Sequence, residues 1–368
     1  MLTSSTRQGL PTEARWVSAW ACAQLLVGLV AVSVGAGLAG RRLLLGGVTV
    51  VAVLELAVLC GGLLLVARSS HRLWTRVRGR RRLWFLPGAA VALVMMWSLM
   101  IAVMATVVPP TPLDRAALGS ATAGYTEVHP VTDDGVILSA WWAPSSNGAA
   151  VVLLHGSGEN RSAALPAAAV LRRHGYGVLL LDARGHGESA GSGMDLGWYG
   201  DSDVRAAVAF LLDDRTVDDS RIGALGLSMG AEEAIGAAGT QRALRSVVAE
   251  GATSRTAEDK AAWLPRNPAG AVQRLIDRVT YALVDLLTTA GPPTTLRDAV
   301  AGAPGTHFLL ITAGTSRDEQ SAAAAIRAAA PDRVAVWAVE GAAHVGGLAA
   351  SPDEWETTVL TFFDTTLS

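Results

Sequence analysis

The run from Trp84 to Val108 contains no charged residue and ends at Pro109-Pro110, where a helix cannot continue. An apolar run of more than about 18 residues is long enough to cross a bilayer as a helix. Two further stretches qualify. Trp16 to Ala39 is uncharged, and Leu43 to Ala67 is interrupted only by Glu55. The chain is therefore expected to begin with three transmembrane helices, at about 16–39, 43–67 and 84–108. A cleaved signal peptide is the rival for the first run, because Arg7 and Arg15 precede it. That rival would change the number of spans and not the class of protein.

Charge divides the chain into two physical halves. Charged residues are 17% of the whole, and beyond Asp114 they recur every few positions. The segment from Arg68 to Arg82 holds seven arginines and no acid. Arginine-rich short loops stay in the cytoplasm. The third span then carries everything after Pro109 to the exoplasmic face, so an integral cell-membrane protein with an exoplasmic polar domain is expected. Arg41 and Arg42 fall on the disfavoured side, but the seven of the loop with Arg7 and Arg15 outnumber them. Trp16, Trp20 and Trp84 sit near span ends, where an amphipathic indole is at home. Glu55 admits two readings: a group for proton or ion passage, or a protonated carboxyl hydrogen-bonded to a neighbouring helix. With no second acid, histidine or lysine in the spans, the second is adopted.

A net charge of -2 offers no global attraction to nucleic acid. Cys22 and Cys60 both lie in apolar runs, so neither a disulfide framework nor a thiolate metal site is indicated for the polar half.

From Tyr125 onward the pattern is β/α alternation. Residues 126–132 and 135–143 read as a hairpin turning at Asp133-Asp134-Gly135. Short, nearly continuous apolar runs follow at 149–154, 177–181, 221–227, 246–249, 307–312 and 333–339. Helical segments at 162–174, 201–212, 229–238, 321–329 and 352–365 separate them. Strands apolar on both faces and alternating with helices imply a mostly parallel sheet covered on both sides, with its chemistry in loops at the strand carboxyl ends.

One such end reads Gly226-Leu-Ser-Met-Gly230, directly between strand and helix. The setting makes G-x-S-x-G a nucleophile elbow, with the hydroxyl of Ser228 exposed on a sharp turn. A hydroxyl needs a base, which in this fold follows the serine and an acid in chain order. Beyond Ser228 the histidines are His307, opening a buried strand, and His344, in a loop of small residues after the last strand. His344 is the expected base. The acid is expected at Asp318, after the strand 307–312, with Glu319 second and Glu250 third; Asp318 could instead simply begin the next helix, where an acid suits the dipole. His155-Gly-Ser-Gly158 follows the first parallel strand, so the backbone N–H groups of Ser157 and Met229 are the expected oxyanion donors.

These motifs, with Asp182-Ala-Arg-Gly-His-Gly-Glu-Ser189 and Gly341-Ala-Ala-His344, make residues 125–368 resemble the α/β-hydrolase superfamily, in its serine aminopeptidase-like and dienelactone-hydrolase-like branches. The resemblance implies a small lid. It also implies that Asp182, Arg184 and His186 shape the wall of the site without doing chemistry. Asp318 stands four residues after Gly314, where the family's acid usually stands three after the strand-ending glycine. Residues 254–306 form either the lid or a surface helix packed on the sheet, and 109–124 is expected to be a linker.

The expected function is hydrolysis of a carboxylic ester through an acyl-enzyme, on a small-molecule substrate and beside a lipid bilayer. No nucleic acid, metal or organic cofactor is implied. Peptide hydrolysis on short peptides is the alternative. A non-catalytic receptor or scaffold of the same fold and a small transporter with an appended domain are the readings from other classes.

Overall fold

The computed structural model describes residues 12–46 and 49–368; Arg7, which entered the charge count, lies outside the described residues. The chain divides into two compact units after Met104. The first holds helices α1 (Thr12–Gly46), α2 (Val50–Arg76) and α3 (Phe85–Thr106), with a 3₁₀ turn at Gly79–Trp84. Residues 19–40, 50–76 and 79–106 are long and apolar enough to cross a membrane.

The boundaries differ from those expected. α1 continues to Gly46, so Arg41 and Arg42 belong to it. α2 runs on to Arg76, so much of the supposed basic loop is helix. Arginine is a good helix former, and a helix need not end where its hydrocarbon-length segment does. Glu55 of α2 accepts a hydrogen bond from the neighbouring helix, its Oε1 lying 3.0 Å from Nε of Arg42 on α1. The two helices approach closely because the contact is made of glycine. A Cβ at Gly35 would stand 2.7 Å from the backbone N of Leu59, and one at Gly62 2.8 Å from that of Val32.

The second unit opens at Ala105. The stretch expected to be a linker is laid along this unit. Val108 bridges to Gly193, and Asn160 donates to the carbonyls of Thr111 and Pro112. A short helix α4 (Arg115–Leu118) follows, with Leu113 and Leu118 packed against the core.

The sheet contains β1 (Thr126–Val128), β2 (Ala140–Ala143), β3 (Ala150–Leu154), β4 (Gly177–Leu181), β5 (Ile222–Leu227), β6 (Leu244–Glu250), β7 (His307–Ala313) and β8 (Val334–Val339). Their order is β1-β2-β4-β3-β5-β6-β7-β8. The first two strands are antiparallel to their neighbours and the rest are parallel. The expected Asp-Gly turn is present: Gly135 has φ 81°, and its N–H donates to Thr132 at 2.8 Å. The flanking strands are shorter than the sequence suggested.

The central strands β3, β4 and β5 are buried throughout, so alternate side chains enter two separate cores. Val152 and Leu154 pack with α6 (Gly200–Leu212) and α7 (Met229–Ala238); Val151 and Leu153 pack with α5 (Leu165–Arg173) and α13 (Pro352–Thr366). Burying each such side chain contributes about 1.5–3 kcal/mol. Chain order leaves β3 toward β4 on one side and reaches β5 on the other, which opens a crevice at the carboxyl ends of β3 and β5.

Residues 254–306 form α8 (Ala257–Trp263), α9 (Pro268–Leu287) and α10 (Leu296–Ala301). α10 joins the core through Leu296, Ala299 and Val300. α9 instead turns a polar face inward, with Asp277 buried and paired with Lys260 of α8, while Val272, Leu275 and Leu286 remain exposed. The remaining helices, α11 (Arg317–Arg327) and α12 (Gly347–Ala350), flank the site.

Candidate active site

β5 ends at Leu227 and α7 starts at Met229, leaving Ser228 alone to turn the chain. Its backbone, at φ 54° and ψ -114°, is in a region that costs a non-glycine residue about 1–3 kcal/mol. Two glycines make the turn possible. A Cβ at Gly226 would stand 2.1 Å from the carbonyl O of Gly230, and one at Gly230 would stand 2.6 Å from Leu154 Cβ. The Ser228 N–H donates to the Glu250 carbonyl at 2.8 Å, which ties the elbow to β6.

The Oγ of Ser228 lies 2.8 Å from Nε2 of His344. His344 comes from the loop after β8, and the carboxylate on its other side is Glu319, with Oε1 2.9 Å from Nδ1. The structure brings Glu319, and not the expected Asp318, to this position. Asp318 is exposed on the first turn of α11, while Glu319, one residue on, is buried and points back toward the sheet. Its other oxygen accepts the Ala313 N–H at 2.8 Å, so strand β7 holds the carboxylate in place. Successive residues of a helix differ by about 100° in direction, and only one of the two acids can face inward. The pattern Ser316-Arg-Asp-Glu319 suits a capping box, but only half of one forms, because the Ser316 N–H donates to the Ala313 carbonyl and not to Glu319. Ser316 indeed caps α11, accepting from the Glu319 N–H.

Glu250, the third candidate, is used otherwise. Its Oε1 accepts the Gly347 N–H at 2.7 Å and its Oε2 the Trp355 Nε1–H at 3.1 Å, so it pins the loop that carries His344. Burial raises its pKa, and these two donors pull the other way.

His155 is a brace. Its Nε2 accepts from the Ala183 N–H and its Nδ1 faces the Gly156 carbonyl, while burial lowers its pKa to about 3 and keeps it neutral. The loop behind it leaves two amides unspent: among the described residues, the N–H groups of Ser157 and Met229 donate to no protein acceptor. Gly158 is held on both sides, its N–H by Asp195 at 3.1 Å and its carbonyl by the Thr111 hydroxyl at 2.5 Å. Sequence reasoning gave Thr111 no role, because nothing in a linker marks a hydroxyl that returns to the site.

The third family motif is structural. Asp182 accepts from the Arg161 backbone and guanidinium, and Arg184 joins Asp134 of the hairpin turn to Asp203 of α6. Deeper in α7, Glu232 is fully enclosed and accepts from the Thr253 and Ser254 N–H groups, fixing the start of the 254–306 region. Burial pushes its pKa up to about 7.

Residues 145–301 match the family described as serine aminopeptidase, S33. The chain is 35% identical over 140 residues to an uncharacterized protein of Mycobacterium tuberculosis, covering 36% of this chain and 49% of that one. It is 33% identical over 133 residues to the thiohydrolase aneE of Aspergillus aculeatus, covering 34% of this chain and 40% of that one. The chain thus spans about half the length or less of these relatives. Among solved structures it resembles the Pyrococcus furiosus esterase Pf2001, with a TM-score of 0.55 and 25% identity, over 71% of this chain and all of that one. A fungal α/β hydrolase, GrgF from Penicillium, shares the fold at a TM-score of 0.51 and 18% identity, over 66% of this chain and 99% of that one. Sheet order, elbow and these likenesses together place the protein in the α/β-hydrolase superfamily. The chain also carries three apolar helices of membrane-spanning length.

Proposed function

We propose that the protein is a membrane-anchored serine hydrolase that cleaves a carboxylic ester through an acyl-enzyme. The observation that carries this reading is the unbroken line from Ser228 through His344 to Glu319, with links of 2.8 and 2.9 Å. His344 Nε2 takes the proton of Ser228 as Oγ attacks the ester carbonyl. The oxyanion is met by the amides of Ser157 and Met229, at the amino terminus of α7, where the helix dipole favours negative charge. His344 then gives its proton to the departing alcohol. A water, deprotonated by the same nitrogen, attacks the acyl group and releases the acid, restoring Ser228. Glu319 holds the imidazole in the tautomer that leaves Nε2 free to accept, and stabilises its charged form.

The likeness to an esterase over that enzyme's full length supports ester over peptide cleavage. The family's aminopeptidase description supports the second reading, an exopeptidase on short peptides. Turnover of a short-chain p-nitrophenyl ester and of an aminoacyl p-nitroanilide by the full chain separates the two: the ester should be cleaved and the anilide should not. Both activities absent would remove the hydrolytic reading.

The three apolar helices support anchoring in a membrane, and the arginines between Arg68 and Arg82 support an exoplasmic hydrolase unit. Substrates would then be envelope or extracellular esters.

A further inference from the structure

α1 and α2 are close-packed through glycines along their contact. α3 meets α1 near Gly37, where a Cβ would stand 3.0 Å from the Met100 carbonyl and 3.0 Å from a Val103 methyl. Toward the beginning of α3 the three helices separate and leave a cavity of about 800 Å³. Leu25 and Leu29 of α1, Val66 of α2, and Ala89, Leu93 and Met96 of α3 are among its walls. On α3 the lining includes the small residues Gly88, Ala89 and Ala92, and at Gly88 a Cβ would meet only open space. The volume is that of a ligand pocket, for which about 300–1,000 Å³ is usual.

The hydroxyl and charged side chains in its lining are those of Ser70 and Arg81. From Leu56 to Leu113 the sequence contains seven arginines and no acid. Arg72 donates to Gln24, and Arg82 donates to the Val77 carbonyl and lies over the Trp74 ring. Among the described residues no carboxylate or other acceptor pairs with Arg81. Its counter-charge has to come from outside the chain, at the edge of a cavity that accepts hydrocarbon.

We propose that this groove is a binding site for an anionic phospholipid, with the phosphate at Arg81 and one acyl chain lying between α3 and the α1–α2 pair. Basic pockets between membrane helices recognise anionic headgroups in this way, each arginine near the surface contributing about 1 kcal/mol. The inference rests on the reading that the three helices cross a membrane. Alkaline extraction of membranes tests that reading by itself: a chain that washes out is not membrane-spanning.

The binding test uses the full chain in detergent, offered equal amounts of phosphatidylglycerol, phosphatidylcholine with the same acyl chains, and oleate, with retained lipid counted by native mass spectrometry. Phosphatidylglycerol should be retained over phosphatidylcholine about fivefold. Arg81→Gln should bring the two level, Arg81→Lys should restore the preference, and Ala92→Phe, which fills the groove, should abolish retention. Turnover of a short soluble ester should be unchanged in all three variants, which checks that the chain is intact. A chain that resists alkaline extraction yet shows no headgroup preference would overturn the lipid site and leave the anchor standing. Preference surviving Arg81→Gln, retention surviving Ala92→Phe, or oleate displacing phosphatidylglycerol would also overturn it.

Discussion

Oε1 of Glu319 lies 2.9 Å from Nδ1 of His344, whereas Asp318, its neighbour in sequence, is exposed on the same helical turn. Glu319→Gln should therefore lower ester turnover by about 10³-fold or more, because an amide in its place favours the wrong imidazole tautomer. Asp318→Asn should leave turnover within about twofold, as for a surface change with no buried partner. Steady-state kinetics on both variants is the check, and equal losses would mean that Glu319 is not the orienting acid.

The Thr111 hydroxyl donates to the carbonyl of Gly158, one residue from the Ser157 amide. Thr111→Val leaves that carbonyl unpaired and should loosen the loop, lowering kcat by about tenfold with KM little changed, less than the ~10²-fold typical of losing an oxyanion donor outright. Thr111→Ser, which keeps the hydroxyl, should recover most of the loss. A KM effect alone would assign Thr111 to substrate binding.

Glu232 makes the stability of the fold depend on pH. Burial is the largest influence on it and raises its pKa to about 7 from an ordinary 4.5; the Ser254 and Thr253 N–H groups oppose that shift. Between those values the native state holds a proton that the unfolded chain has lost, so its contribution is present at pH 4.5 and falls away as pH rises to 7. Glu232→Gln cannot ionise and keeps an acceptor for both amides. Its Tm, relative to wild type, should rise by at least about 2 °C between pH 5 and pH 8, measured by scanning calorimetry. An unchanged difference would mean that Glu232 is not protonated in the native state.

For sidedness, cysteine placed at Asn147 should react with a membrane-impermeant thiol reagent in intact cells, and cysteine at Arg80 should not, in a background with Cys22 and Cys60 replaced by serine. Labelling should differ by about tenfold or more, since arginine-rich short loops are retained in the cytoplasm. The reverse pattern would place the hydrolase unit inside.

Much of this was legible because it depends on local rules. The parallel strands follow from apolar runs, and glycine spacing and chain order singled out Ser228 and His344, whose side chains stand 2.8 Å apart. Placing the acid required the direction of a side chain on a helix, which nearness in sequence to the strand does not give. The helix ends at Gly46 and Arg76 were hidden for another reason: hydropathy marks what can lie in hydrocarbon, and a helix can continue beyond it. The roles of Thr111 and Glu250 are contacts between segments far apart in the chain, which no spacing encodes.

Ser228 is the proposed nucleophile, and covalent labelling tests it directly. The full chain treated with a fluorophosphonate probe, then digested and analysed by mass spectrometry, should carry one adduct on the peptide containing Gly226 to Gly230, located at Ser228. The adduct should be absent from Ser228→Ala and reduced by about 10²-fold or more in rate in His344→Ala, where the base is gone. An intact protein that takes no probe at Ser228, or a Ser228→Ala variant that is labelled and hydrolyses esters as before, would contradict the account.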